Sequence, residues 1–225
     1  MNVRELPRII DLSCVKAQST LQERELMVRL AKEHNFICCF SMPCFTEWLV
    51  NELKDCPQTV VGAPVGFPSG ADLTSTKVQT ALVQQQLGCQ EFDMVINVGA
   101  LKDKNYKMVQ DDITAVREAV AGKIMKVILE VPYLSEYEIC KGAEIVAKCG
   151  ATFVKTGTGW GPTPTTVEHI KLLKSVVGNS CKIKAAGGVR TLRQIEEMID
   201  AGCERFGIGV NSTISIMKEA GIISE

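Results

Sequence analysis

The chain has 225 residues, 46% of them hydrophobic and 23% charged, a balance that supports a packed core and excludes a disordered polymer. Its 25 basic and 26 acidic residues leave a net charge of −1, which offers no global field for a nucleic-acid backbone or an anionic membrane. No apolar run reaches the roughly 18 residues that cross a bilayer, and Met1-Asn2-Val3-Arg4-Glu5 lacks the apolar core of a signal peptide, so a cytoplasmic protein is expected.

In chain order, apolar runs and turn signals predict strand 8–11, helix 19–34, strand 36–40, helix 45–54, strand 59–63 and helix 72–87. There follow strand 91–97, helix 103–121, strand 125–130, helix 135–148, strand 152–155 and helix 163–177. Strand 181–185, helix 191–201, strand 205–208 and helix 212–220 complete the pattern. Asp72 is placed to cap the third helix and Thr163-Pro164 to open the sixth. Gly88, Gly122, Gly150, Gly178 and Gly202 each stand just past a helix, where a left-handed residue is wanted.

Eight alternating units predict a parallel sheet with right-handed crossovers, closed into a (β/α)8 TIM barrel, with residues 1–225 forming a single α/β domain. An open dinucleotide-binding sheet would carry a glycine fingerprint after its first strand, and Asp11-Leu12-Ser13-Cys14-Val15 contains no glycine. The ten cysteines are irregularly spaced with no Cys-x-x-Cys, so they are read as reduced core thiols. Neither a metal nor an organic cofactor is expected.

Barrels of this kind build their sites at the C-terminal ends of the strands. There the sequence offers Asp11 on strand 1, Asp93 on strand 4, Lys126 and Glu130 on strand 5, Lys155 on strand 6 and Lys184 on strand 7. A single strand lysine is more often a snorkelling side chain with its ammonium in water. Three on adjacent strands beside Asp93 suit amine catalysis instead: a neutral lysine attacks a carbonyl, and the imine becomes an electron sink. Burial and a second ammonium both disfavour the charged form, so Lys184 beside Lys155 would free the nucleophile, while Asp93 would relay protons. Lys126, Ile128 and Glu130 share one face of strand 5, and period alone leaves open which face points inward. Lys182 is placed in solvent at the entrance of its strand. Gly187-Gly188 and Gly207-Ile208-Gly209 follow strands 7 and 8, where backbone N–H groups bind phosphate without net positive charge. His34 and His169 fall on helices away from the strand ends and are read as surface residues, whereas Trp160 is placed at the pocket mouth.

Four segments together carry a family resemblance: Pro64-Val65-Gly66-Phe67-Pro68-Ser69-Gly70, Glu91 to Lys102, Lys155-Thr156-Gly157-Thr158-Gly159 and Lys184 to Thr191. Along nearly its whole length the chain resembles the deoxyribose-phosphate aldolases, class I aldolases on a (β/α) barrel. The resemblance implies reversible cleavage of 2-deoxyribose 5-phosphate to glyceraldehyde 3-phosphate and acetaldehyde. It implies Lys155 as the imine-forming lysine, Lys184 as the lysine that lowers its pKa, Asp93 as the proton relay, and Lys126 lining the site. It also implies that Asp11 and Ser13 hold a substrate hydroxyl and that Thr156, Gly187, Gly188, Gly207, Gly209 and Val210 surround substrate and phosphate. The expected partners are the phosphosugar and acetaldehyde, with a homodimer expected on base rates. Gly157 stands where the family usually has serine, which implies a looser loop. The stretch Gly207-Ile208-Gly209-Val210 lacks the family's serines, at about 1 kcal/mol per lost hydrogen bond to phosphate. A Schiff-base transfer between longer phosphosugars and a phosphosugar-binding protein without turnover are the competing readings.

Overall fold

The computed structural model describes residues 3–224. Eight parallel strands close into a barrel: β1 (Ile10–Cys14), β2 (Cys38–Ser41), β3 (Val60–Val65), β4 (Glu91–Val95), β5 (Ile124–Ile128), β6 (Phe153–Lys155), β7 (Lys182–Ala186) and β8 (Arg205–Gly209). Each pairs with its sequence neighbour, and β8 returns to β1 with Asp11 opposite Gly207. The helices are α1 (Leu21–His34), α2 (Thr46–Leu53), α3 (Thr74–Gln86), α4 (Val98–Lys102), α5 (Tyr106–Ala119), α6 (Glu136–Lys148), α7 (Val167–Val177), α8 (Leu192–Asp200) and α9 (Val210–Glu219). None of the described helices is long and apolar enough to cross a membrane.

Alternation along each strand sends one set of side chains outward to the helices. Leu12, Cys39, Val61, Phe92, Met94, Val127, Val154, Ile183 and Phe206 are buried there against Met27, Leu49, Ile113, Val146, Leu173 and Ile216 from the helices. Each such side chain contributes about 1.5–3 kcal/mol on burial. The main apolar core is therefore the shell between strands and helices, and six of the ten free thiols are buried, including Cys39, Cys89 and Cys203.

Local signals placed the elements well and some of their ends less well. The helix expected over 103–121 is α5, Tyr106–Ala119, and the unexpected short helix α4 precedes it, the two separated where Lys104 takes a left-handed φ of 58°. Asn97 and Asn105 cap α4 and α5 by accepting from Ala100 N and Met108 N. Asp72 does not cap α3, whose N-cap is Leu73 with no side-chain bond. Thr163-Pro164 lies in the loop before α7, which Thr166 caps while His169 Nδ1 accepts from Thr166 N. His34 and His169 are half-buried rather than fully on the surface. The five glycines expected past helices all have positive φ. Lys182 is exposed, as its place at the strand entrance suggested.

Two contacts fix the strands that matter most for the interior. Lys77 on α3 is fully buried, donating to Val95 O at 3.0 Å and to Asp112 Oδ2 at 2.5 Å, which pins the end of β4. Inside the barrel, the Phe40 ring occupies the space that a side chain at Gly62 would need, with Cζ only 2.1 Å from an ideal Cβ. Gly62→Ala is therefore expected to lower stability by about 1–3 kcal/mol in urea unfolding. Adding Phe40→Leu should recover part of that loss, and strictly additive losses in the double variant would show that the ring is not the obstacle.

Candidate active site

The inward faces of the strands carry charge instead of the branched apolar layers usual in such barrels. Asp11, Glu91 and Asp93 meet Lys126, Lys155, Lys184 and Arg205, and all seven are buried. Register explains the grouping: Lys126 lies opposite Asp93, while Lys184 lies opposite both Lys155 and Arg205, and in-register residues face the same side.

The lower part of the network is saturated. Lys126 Nζ reaches Glu91 Oε2 at 2.5 Å, Asp93 Oδ1 at 3.0 Å and Asp11 Oδ2 at 3.2 Å. Arg205 donates to Asp11 Oδ1 at 2.7 Å and Glu91 Oε2 at 3.4 Å. The upper part centres on Asp93 Oδ2, which accepts from Lys155 at 2.7 Å and from Lys184 at 2.6 Å, while Lys184 also donates to Asp11 Oδ2 at 2.5 Å. Phe40 lies between the layers, its ring 4.9 Å from Lys126 Nζ and 4.7 Å from Lys184 Nζ.

These contacts decide the proton affinities. Burial pushes the pKa of Asp93 up, but the ammonium groups of Lys126, Lys155 and Lys184 together outweigh it and hold Asp93 well below the usual carboxylate range. Asp11 is lowered by the same balance, with Lys126, Lys184 and Arg205 as its cations. For Lys126 burial acts downward, yet the three carboxylates win and raise it. Lys155 goes the other way. Burial brings it down to about 8, Asp93 opposes, and the charges of Lys184 and Lys126 reinforce the fall. Lys155 thus keeps a lowered proton affinity despite its 2.7 Å contact with Asp93, an aspartate it shares with Lys126 and Lys184.

Above this network opens a cavity of about 170 Å³. Of the residues singled out in the sequence, Lys155, Ser13, Gly187, Gly188, Gly207, Gly209 and Val210 line it. Asp93 and Lys184 touch the cavity only through their neighbours, being 2% and 0% exposed. Asp11 and Lys126 lie deeper, fully buried within the ion network and away from the cavity wall. Asp11 is the second residue of β1, not its last. The Thr156 hydroxyl is also turned away: it donates to Ala186 O at 3.0 Å, and it accepts from Ala186 N and Thr165 Oγ1.

Glu130 leaves β5 in a left-handed turn at φ 60°, and both of its carboxylate oxygens accept from Thr158 N, at 3.1 and 3.2 Å. A side chain at Gly157 would meet Glu130 Oε1 at 2.9 Å. The absent serine therefore does not leave a loose loop, since the carboxylate occupies that space and holds the backbone. Burial raises the Glu130 pKa against the hydrogen bonds from Thr158, which lower it. Lys16, Arg190 and Ser212 also line the cavity, none of them singled out by period, because loop residues carry no periodic signal. Glu91 and Arg205 were legible only as the first residues of their strands.

Asp11, Cys38 and Glu91 bring potential metal-ligand atoms within 4.8 Å of one another. The donor set does not suit an ion: Lys126 and Arg205 already hold the carboxylates, and burial pushes the Cys38 thiol well up, so it stays protonated.

Comparison with known proteins places the chain in a family. Residues 21–217 match the model of the DeoC/LacD family aldolases. The deoxyribose-phosphate aldolase of Rhizobium meliloti is 40% identical over 220 residues, covering 98% of this chain and 89% of the relative. That of Dictyoglomus turgidum is 41% identical over 221 residues, covering 98% and 100%. Among solved structures, the aldolase QR15 superposes with a TM-score of 0.88 at 34% identity, covering 97% of this chain and 96% of that one. The chain belongs to the DeoC/LacD family of aldolases.

Proposed function

We propose that this protein is a deoxyribose-phosphate aldolase acting through a Schiff base on Lys155. The observation that carries the reading is the state of Lys155: a buried amine at the cavity wall, 2.7 Å from Asp93, with its pKa brought down to about 8. Residues 1–225 are proposed to work as one barrel domain.

On this reading, neutral Lys155 adds to the aldehyde carbon of open-chain 2-deoxyribose 5-phosphate, and loss of water gives the protonated imine. The imine withdraws the electron pair of the C2–C3 bond as the C3 hydroxyl loses its proton, releasing glyceraldehyde 3-phosphate and leaving an enamine. Protonation at C2 and addition of one water then release acetaldehyde and restore the amine. Asp93 relays the protons, and Lys184, 2.6 Å from the same Oδ2, serves as proton donor and as the charge that keeps Lys155 neutral. Lys126 and Asp11 hold this pair from below, and Ser13 faces the substrate. The phosphate is assigned to the backbone of Gly187, Gly188, Gly207, Gly209 and Val210 at the start of α9, with Lys16 and Arg190 supplying positive charge from the loops.

Borohydride reduction in the presence of acetaldehyde should attach a two-carbon group to Lys155, located by peptide mass spectrometry. Lys155→Met should abolish the adduct and lower turnover by about a thousandfold or more. A product screen with acetaldehyde as sole donor separates this activity from transfer between longer phosphosugars. The pH dependence has a definite sign. Because the neutral amine is the nucleophile, adduct formation should rise about tenfold per unit below pH 8 and level off above it. Removing a positive neighbour makes the proton harder to lose, so Lys184→Leu should move that limb upward. An unshifted limb in Lys184→Leu, measured by single-turnover trapping, would remove Lys184 from its assigned role.

A further inference from the structure

Trp160 takes no part in the imine chemistry, yet it is held on several sides. Its backbone N–H donates to Thr158 Oγ1 at 3.0 Å, and Thr158 is itself held by Glu130. Its indole Nε1 donates to Val15 O at 3.1 Å. Phe67 meets the ring edge-on, with centroids 6.0 Å apart and planes at 89°. Val15 follows β1 and Phe67 follows β3, whereas Trp160 follows β6. In a ring of eight strands β6 stands opposite β2, so the indole reaches across the barrel mouth to the two loops on its far side. The ring lines the same cavity as Lys155 while remaining 42% exposed to solvent.

A tryptophan free at a surface would sample several rotamers. Here the only polar atom of the ring is satisfied by Val15, and Phe67 packs against the ring at right angles. The indole therefore offers a substrate no hydrogen bond, only a fixed apolar obstacle. The cavity it borders, at about 170 Å³, is below the roughly 300–1,000 Å³ of pockets that take drug-sized ligands.

We infer that Trp160 is a specificity-determining crossbar that limits the size of the aldehyde acceptor. The inference rests on the aldolase reading, in which the acceptor is the aldehyde whose carbonyl carbon the Lys155 enamine attacks. Short aldehydes with an anionic tail pass beneath the bar toward Gly188 and Arg190. Aldehydes with a bulky apolar substituent meet the indole before their carbonyl reaches the enamine.

The test compares the protein with Trp160→Ala and Trp160→Phe, using acetaldehyde as donor and either glyceraldehyde 3-phosphate or 3-phenylpropanal as acceptor. The readout is the ratio of kcat/KM for the bulky acceptor to that for the phosphorylated one. We expect the ratio to rise about tenfold or more in Trp160→Ala. Trp160→Phe, which keeps a ring but loses the bond to Val15, should fall between that variant and the parent, and it serves alone if the alanine variant does not fold. An unchanged ratio, with borohydride still trapping acetaldehyde on Lys155, overturns the crossbar while leaving the aldolase intact. A falling ratio overturns it too, by marking the indole as a wall that binds apolar acceptors. Failure of the parent protein to trap acetaldehyde counts against the aldolase reading itself.

Discussion

Everything in the interior depends on how seven buried ionisable groups share their charge. Three carboxylates face four cations, and a network this dry tolerates little imbalance, because an uncompensated buried charge costs several kcal/mol. Lys126 and Arg205 bind the lower carboxylates so fully that their protons are locked in place. The surplus positive charge is left at the top, where Lys155 must be held by an aspartate that two other lysines also claim. Depression of its pKa thus follows from the arithmetic of the whole cluster as well as from burial. Lys126, which never reaches the cavity wall, bears on Lys155 by occupying Asp93 from below.

The apolar architecture makes such a cluster affordable in stability terms by locating the main core elsewhere. Side chains such as Phe92, Val127 and Phe206 pack outward against the helices, so the barrel is held from outside while its inside is committed to charge. Lys77 extends the same division of labour. It is a buried cation outside the barrel, and by holding Val95 O it fixes the strand that bears Asp93.

Much of this was legible in the sequence. Strand and helix alternated with the correct period, and Lys155, Lys184 and Asp93 stood out as ionisable residues in apolar strands. Their order in the barrel followed from topology alone, since β4 to β7 are neighbours. What the sequence could not show were contacts made by single residues leaving regular structure. Glu130 looks like one more residue of strand 5 until its backbone turns left-handed and its carboxylate grips Thr158. Likewise, Thr163-Pro164 satisfies every rule for opening a helix, but Thr166 has the partner it needs in His169 and wins. Depth was equally hidden: Asp11 shares its strand's inward period with Ser13, which does line the cavity, and only the stacking of layers separates them.

The barrel interior beneath Lys155 is filled by the Phe40 ring and the lower ion network, which makes the cavity a dead end. A blind pocket imposes a sequence of events on any reaction that splits its substrate in two. Under the proposed Schiff-base mechanism, the fragment attached to Lys155 would lie innermost and covalently tethered, with the phosphate-bearing fragment nearer the opening. On that proposal the phosphorylated aldehyde would depart first and, in the synthetic direction, arrive last, so traffic through the barrel would be ordered by geometry before any difference in affinity comes into play.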